Sequence, residues 1–334
     1  MKSKEKNPLV ALGGLSVTAA MAWISYSKLL VPHNLPLPPA VSGERHEFTG
    51  RTGRLSYYVA GEAAQHAAPL LLIHSINAAG SAYEVRPLFE HYKTHRRVYA
   101  LDLPGFGFSE RSDRQYTPRL YTDAILDMLE QIARDVGSTP VDTLALSLSA
   151  EFLARAAADA PERFRSLALV TPTGFRRNQE RYAEIGATMG NPFVRNLFDL
   201  PLWSRPFFDL LTSKPSIRFF LAQTFGAYDP IPPELVEYAY LTTHQPGAQH
   251  APYAFVSGLL FSTDIGHIYD ALKLPVWLAY GTRGAFSDFQ NLKNVQVAEN
   301  WSTQAFGTGA LPHFEQLEAV TTTYDAFLTK IAGA

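Results

Sequence analysis

The chain has 334 residues, 46% of them hydrophobic, enough to bury a large core as two ordinary domains or as one large α/β domain with an insertion. Lysine plus arginine (29) nearly balances aspartate plus glutamate (31) without a basic stripe or an aromatic RNA-binding signature, which excludes a nucleic-acid partner and favours a small or lipidic ligand. No cysteine is present, so disulfides, thiolate metal sites and a cysteine nucleophile are excluded; the histidines lack metal-ligand spacing, and neither a metal nor another cofactor is expected.

In chain order, Lys2, Lys4 and Lys6 precede an uncharged run over residues 8–27 that Lys28 closes. About 20 apolar residues cross a bilayer, so residues 1–30 read as an uncleaved signal anchor, with the lysines holding the amino end in the cytoplasm and the body periplasmic or otherwise extracytoplasmic. Gly13, Gly14, Ser16 and Thr18 make the run only moderately apolar. Two alternatives stay open: a signal peptide cleaved after the small-x-small pattern of Ala20, Met21 and Ala22, and a helix packed on the body. Residues 31–44 are proline-rich and read as an extended spacer.

The body spans residues 45–334. Residues 55–60 alternate, while 69–74 and 97–102 are continuous apolar runs suited to strands buried on both faces. Helical patterns lie at 83–91, 120–136 and 151–160, and another buried strand at 167–171. Strands alternating with helices predict a doubly wound, mostly parallel α/β sheet. The pattern then breaks over residues 175–272, an aromatic, helix-like insertion read as a cap over the carboxyl ends of the strands. Strand signals return at 275–280 and 295–299.

Residues 71–75 end a strand in His74 and Ser75, residues 101–110 carry Asp102, Pro104, Gly105, Gly107, Ser109 and Glu110, and residues 141–150 read as strand, sharp turn and helix start. With these motifs the chain resembles the α/β-hydrolase superfamily, in its cap-bearing esterase, epoxide-hydrolase and haloperoxidase-like branch, over about residues 45–329. The resemblance implies a nucleophile on a strained turn flanked by small residues. Ala145, Leu146, Ser147, Leu148 and Ser149 fit with Ser147 at the centre; centring on Ser149 would put Glu151 where a small residue is needed. It also implies backbone oxyanion donors at Leu148 and at Ser75 or Ile76.

The triad itself is degenerate. Where the family places its acid stand Gly284 and Ala285, and where it places Gly-His stand Gly309 and Ala310. Asp288 is the remaining candidate acid and His313 the candidate base, about one helical turn, roughly 5 Å, past the expected place. His74, His267 and Asp264 are further candidates. Two functions follow. One is a membrane-anchored hydrolase of an apolar acyl or ester-type substrate, acting through Ser147 with Asp288 and His313; the other is a catalytically silent hydrolase-like protein that binds a lipid, an apolar ligand or an envelope partner. A cofactor-free oxygenase or lyase ranks last, since it too would want the missing histidine. Phe193, Phe198, Trp203, Phe207, Phe208, Phe219, Phe220 and Phe225 suit an apolar ligand beneath the cap, and Arg176, Arg177 and Arg181 suit anionic lipid headgroups.

Overall fold

The computed structural model describes residues 8–62, 67–177, 179–229, 231–294 and 298–333, with the side chains of all these but 8–17 and 293–294. Helix α1 (Pro8–Leu30) forms over the predicted anchor. Its small and hydroxyl residues tell, however: among the described residues no helix is long and apolar enough to cross a membrane. A spanning anchor is therefore unsupported, and Lys2, Lys4 and Lys6 lie outside the described residues. The carboxyl half of α1 packs on the body instead, where the Trp23 indole N–H donates to Pro206 O (2.8 Å) and the Ser27 hydroxyl to Asp209 Oδ2 (2.6 Å).

The proline-rich stretch that follows forms neither helix nor strand and is strapped down on the body. Gln245 Nε2 donates to Leu35 O (2.7 Å), the Tyr238 hydroxyl to Pro38 O (3.0 Å), and Ala40 and Val41 are buried.

Eight strands build one sheet: β1 (Glu44–Gly50), β2 (Gly53–Ala60), β3 (Leu70–Ile73), β4 (Val98–Asp102), β5 (Val141–Leu146), β6 (Phe164–Val170), β7 (Val276–Gly281) and β8 (Trp301–Phe306). Their order is β1-β2-β4-β3-β5-β6-β7-β8, antiparallel over β1-β2-β4 and parallel from β4 onward. The apolar runs of β3, β4 and β5 are buried throughout, as strands covered on both faces require. β8 corrects the expected strand at 295–299: residues 295–297 fall outside the described residues, and the strand starts later. It is a half-exposed edge strand of mixed polarity, so no apolar run marked it.

Helices α2 (Arg86–Tyr92) and α12 (Leu317–Ala332) pack on one face of the sheet, α3 (Pro118–Val136) and α4 (Ser149–Asp159) on the other. The start of α3 is written locally: Thr117 Oγ1 accepts from Leu120 N (3.2 Å), with Pro118 in the first turn. Its apolar stripe, including Ile125, Met128 and Ile132, is buried against the sheet.

Between β6 and β7 the insertion folds as α5 (Pro192–Phe198), α6 (Ser204–Leu211), α7 (Lys214–Phe225), α8 (Pro233–Thr243), α9 (His250–Val256) and α10 (Ile265–Ala271). The short α11 (Pro312–Glu315) precedes α12. Arg181 is not a surface cation: it is buried, with its guanidinium over the rings of Phe175 (5.1 Å) and Tyr182 (5.5 Å).

Candidate functional site

β5 ends at Leu146 and α4 starts at Ser149, so the chain must reverse within two residues. Ser147 does this with φ of +52°, a left-handed conformation that L-residues adopt only at a cost, and Ala145 and Ser149 on either side are small and fully buried. Ser147 N donates to Val170 O (2.8 Å), anchoring the turn to the neighbouring strand, and the Ser149 hydroxyl donates to His74 O (2.6 Å). The Ser147 side chain is partly exposed and its hydroxyl has no hydrogen-bond partner among the described residues.

Of the three expected oxyanion donors, two are free. The amides of Ile76 and Leu148 have no acceptor among the described residues, whereas Ser75 N is spent on Glu84 Oε2 (2.8 Å). Asn77 Nδ2 donates to Ser75 Oγ (2.8 Å) and Glu84 Oε1 (2.6 Å), so the loop is held rigid from behind by a buried glutamate whose carboxyl burial pushes above its usual range. His74 supports the same loop. Its Nδ1–H donates to Ser75 O (2.7 Å) and its Nε2 accepts from Leu103 N (3.0 Å), which fixes a neutral tautomer; burial holds it down to about 4. Asp102, the first residue of the Pro-Gly turn, likewise accepts from Ala82 N and Phe108 N (3.0 Å each).

The acid and base candidates make their hydrogen bonds to groups other than Ser147. Asp288 Oδ2 accepts from Arg177 N and Oδ1 from Gln290 N, both at 3.3 Å, at the surface. The His313 Nε2–H donates to Glu84 O (2.7 Å), and burial pushes the ring down to about 4. No hydrogen bond joins either residue to Ser147. Asp264 is buried against Arg155 and accepts from Gly186 N (2.7 Å), and exposed His267 lies 3.3 Å from Tyr182 O. All four make bonds elsewhere, although His313 Nδ1 is buried without a partner among the described residues.

What occupies the triad loops is the carboxyl end of α7. A helix leaves its last carbonyls without intrahelical partners. Here Ala285 N donates to Gln223 O (3.2 Å), Ala310 N to Thr224 O (2.8 Å) and Arg283 Nε to Phe225 O (3.0 Å). Ala285 and Ala310 stand where the family carries acid and histidine. The glycines beside them leave no room for side chains. A Cβ on Gly284 would meet Gln223 O at 2.8 Å, and one on Gly309 would collide with the backbone of Thr224 and Phe225. Thr171, the other left-handed non-glycine residue (φ +47°), closes the arrangement by donating its hydroxyl to Ala310 O (2.8 Å). Sequence reasoning missed this socket, whose only trace is the run of small residues at 281, 284, 285, 309 and 310.

The cap meets the oxyanion loop through apolar contacts, with Ala79 against Ile217, Val236 and Ala239, and Ala78 against Phe208 and Tyr253. The cap aromatics expected beneath it divide: Phe208 and Phe225 are buried, whereas Phe193, Trp203, Phe207, Phe219 and Phe220 face outward. A cavity of about 1100 Å³ between α3, α4 and the cap, lined by Tyr116, Arg155, Arg195 and Ser262 among others, does not include Ser147. Among the described residues no three His, Asp or Glu side chains group as metal ligands would.

Residues 68–201 match the family model described as alpha/beta hydrolase fold, the stretch that holds both the loop of Ser75 and Ile76 and the Ser147 elbow. The chain has the alpha/beta hydrolase fold. Solved structures with this hydrolase fold align along most of its length. They include a serine hydrolase involved in carbazole degradation (15% identity, TM-score 0.65, 86% of this chain and 99% of that one) and the enol-lactonase from Burkholderia xenovorans (19%, 0.64, 85% and 100%). A membrane phospholipase A, a bacterial virulence factor, aligns over 98% of this chain and 96% of its own at 19% identity and TM-score 0.64. At these identities the likeness speaks for the hydrolase fold alone. No curated protein matches the sequence.

Proposed function

We propose that this hydrolase-fold protein binds an apolar acyl ligand, its carbonyl or carboxylate oxygen on the Ile76 and Leu148 amides, without a Ser-His-Asp relay to hydrolyse it. The observation that carries this reading is the occupation of the acid and histidine loops by the carbonyls of α7. The free amide pair supports an oxygen-bearing head, and the contacts of Ile217 and Val236 with Ala79 support an apolar tail. Fold relatives described as a phospholipase A and an enol-lactonase support the acyl or ester class.

A serine hydroxyl without a base is a poor nucleophile. Losing a key triad member costs about 10⁶ in turnover, and an oxyanion hole with binding alone leaves about 10³–10⁴ over water. The alternative, hydrolysis through Ser147 with Asp288 and His313, requires Asp288 to leave its bonds at the surface and Ser147 to reach the unpartnered Nδ1 of His313. Two assays on the full chain test the reading: binding of a fluorescent long-chain fatty acid, and turnover of p-nitrophenyl esters with fluorophosphonate labelling, each against Ser147→Ala. The expected result is saturable binding, no labelling, and residual turnover changed less than about tenfold by the substitution. A burst of p-nitrophenol with labelling that Ser147→Ala abolishes would assign a hydrolase instead.

A further inference from the structure

We infer that the outer face formed by α1 and cap helices α5, α6 and α7 seats the protein on an anionic lipid bilayer, lying among the headgroups without crossing. The cap turns large apolar side chains to solvent: Phe193, Trp203, Phe207, Leu210, Phe219 and Phe220 are 40% to 73% exposed. Single exposed apolar residues are ordinary, but a cluster on adjacent helices marks an interaction surface. The cluster is continuous with α1. Trp23 and Ser27 bond to Pro206 O and Asp209 of α6, and Lys28 Nζ donates to Pro201 O (3.4 Å), so Met21, Tyr26, Leu29 and Leu30, 50% to 80% exposed, extend the same face.

Charge selects the occupant. Of the five cations on these helices, Arg195, Arg205 and Lys214 pair with Asp199, the buried Asp209 and Glu237, which leaves Lys28 and Arg218 without an acidic partner among the described residues. The protein as a whole is formally −2, so the two unpaired cations give this face a positive excess on a slightly anionic molecule. Lys2, Lys4 and Lys6 against the single Glu5 add to the basic side in sequence. Apolar side chains beside exposed, unpaired cations suit an in-plane seat on anionic lipid. A second copy of the same face would bring like charges together, which disfavours self-association. A crossing is disfavoured because no described helix is apolar enough and because the inner side of α1 is committed to the cap.

The test is co-sedimentation of the full chain with vesicles of phosphatidylglycerol and phosphatidylcholine, compared with phosphatidylcholine alone. Two variants remove the two parts of the face, Phe219→Ser with Phe220→Ser in the cap and Leu29→Ser with Leu30→Ser in α1, with circular dichroism melting as the check on folding. We expect binding to the anionic vesicles that salt weakens, and a loss of about tenfold or more for each variant. Failure to bind anionic vesicles overturns the proposal, as does equal binding to both vesicle types. Native-like binding by the cap variant leaves α1 acting alone and overturns the composite face. A solution dimer abolished by the same substitutions, with no vesicle binding, assigns the face to self-association.

Discussion

Ser147 and Thr171 hold left-handed conformations that cost a non-glycine residue about 1–2 kcal/mol each. The strain at Ser147 survives although no base reaches its hydroxyl. Ser147→Gly should therefore raise stability by roughly 0.5–1 kcal/mol, after allowing for the extra freedom of glycine in the unfolded chain; urea unfolding checks it, and a loss of stability would show that the serine side chain matters to packing. A second residue-scale consequence concerns pH. Glu151 on α4 accepts from the Thr173 hydroxyl and Ser262 N (3.0 Å), and burial pushes its carboxyl up from 4.5 to about 7. The folded chain then keeps a proton that the unfolded chain has released, so this group's contribution is fullest below about 4.5 and is lost as pH rises to about 7. His74 and His313, both pushed down to about 4 by burial, act the other way: their contribution is present above about 6.5 and lost as pH falls toward 4. Glu151→Gln should abolish the first trend and keep the second. The stability difference between variant and native protein should shift by about 3 kcal/mol between pH 4.5 and 8, and parallel stability curves for the two would refute it.

At the scale of elements, α7 ends on the loops after β7 and β8, with its last carbonyls capped by the main chain of Ala285 and Ala310 and the side chain of Arg283. The glycines there answer to a helix backbone, which cannot swing aside as a flexible side chain can. Gly309→Ala should cost about 1–3 kcal/mol. Gly307→Ala, where a Cβ meets nothing within 4 Å, should change stability by less than about 0.5 kcal/mol, and thermal melting of the pair distinguishes them. The same packing explains why replacing one residue should not rebuild a triad. Ala310→His restores a histidine, but the acid loop's carboxylate, Asp288, stays bonded to Arg177 N and Gln290 N at the surface, and fluorophosphonate labelling of Ser147 should stay absent.

At the scale of the whole molecule, Asp209 ties α1 to the cap. It accepts from the Ser27 hydroxyl (2.6 Å) and Arg205 Nε (2.9 Å) and faces His33 Nε2 (2.9 Å), with almost no exposure of its own. Asp209→Ala leaves Arg205 largely buried without its carboxylate, a loss of about 3–5 kcal/mol, and releases α1. Tryptic cleavage after Lys28 should then accelerate at temperatures where the body stays folded; an unchanged cleavage rate would mean that α1 is held by its apolar contacts alone.

The sequence by itself determined the central strands of the sheet, the elbow and the helical insertion, because these are local matters: apolar runs over β3 to β7, small residues around Ser147, and a break in the strand pattern over residues 175–272. It was also enough to show that the triad positions are empty of acid and histidine. It did not reveal β1 and β8, polar edge strands whose pairing comes from their neighbours, and it gave α1 a spanning role that its moderate hydropathy does not sustain. Only the tertiary structure decided the state of the site. Whether Ser75 N is free depends on Glu84 nine residues on, whether His313 can serve depends on a carbonyl on another element, and what fills the triad loops is a helix end some 60 to 90 residues away in the chain. Each is a hydrogen bond between groups that meet only when the chain has folded, and no periodicity or motif encodes such a meeting.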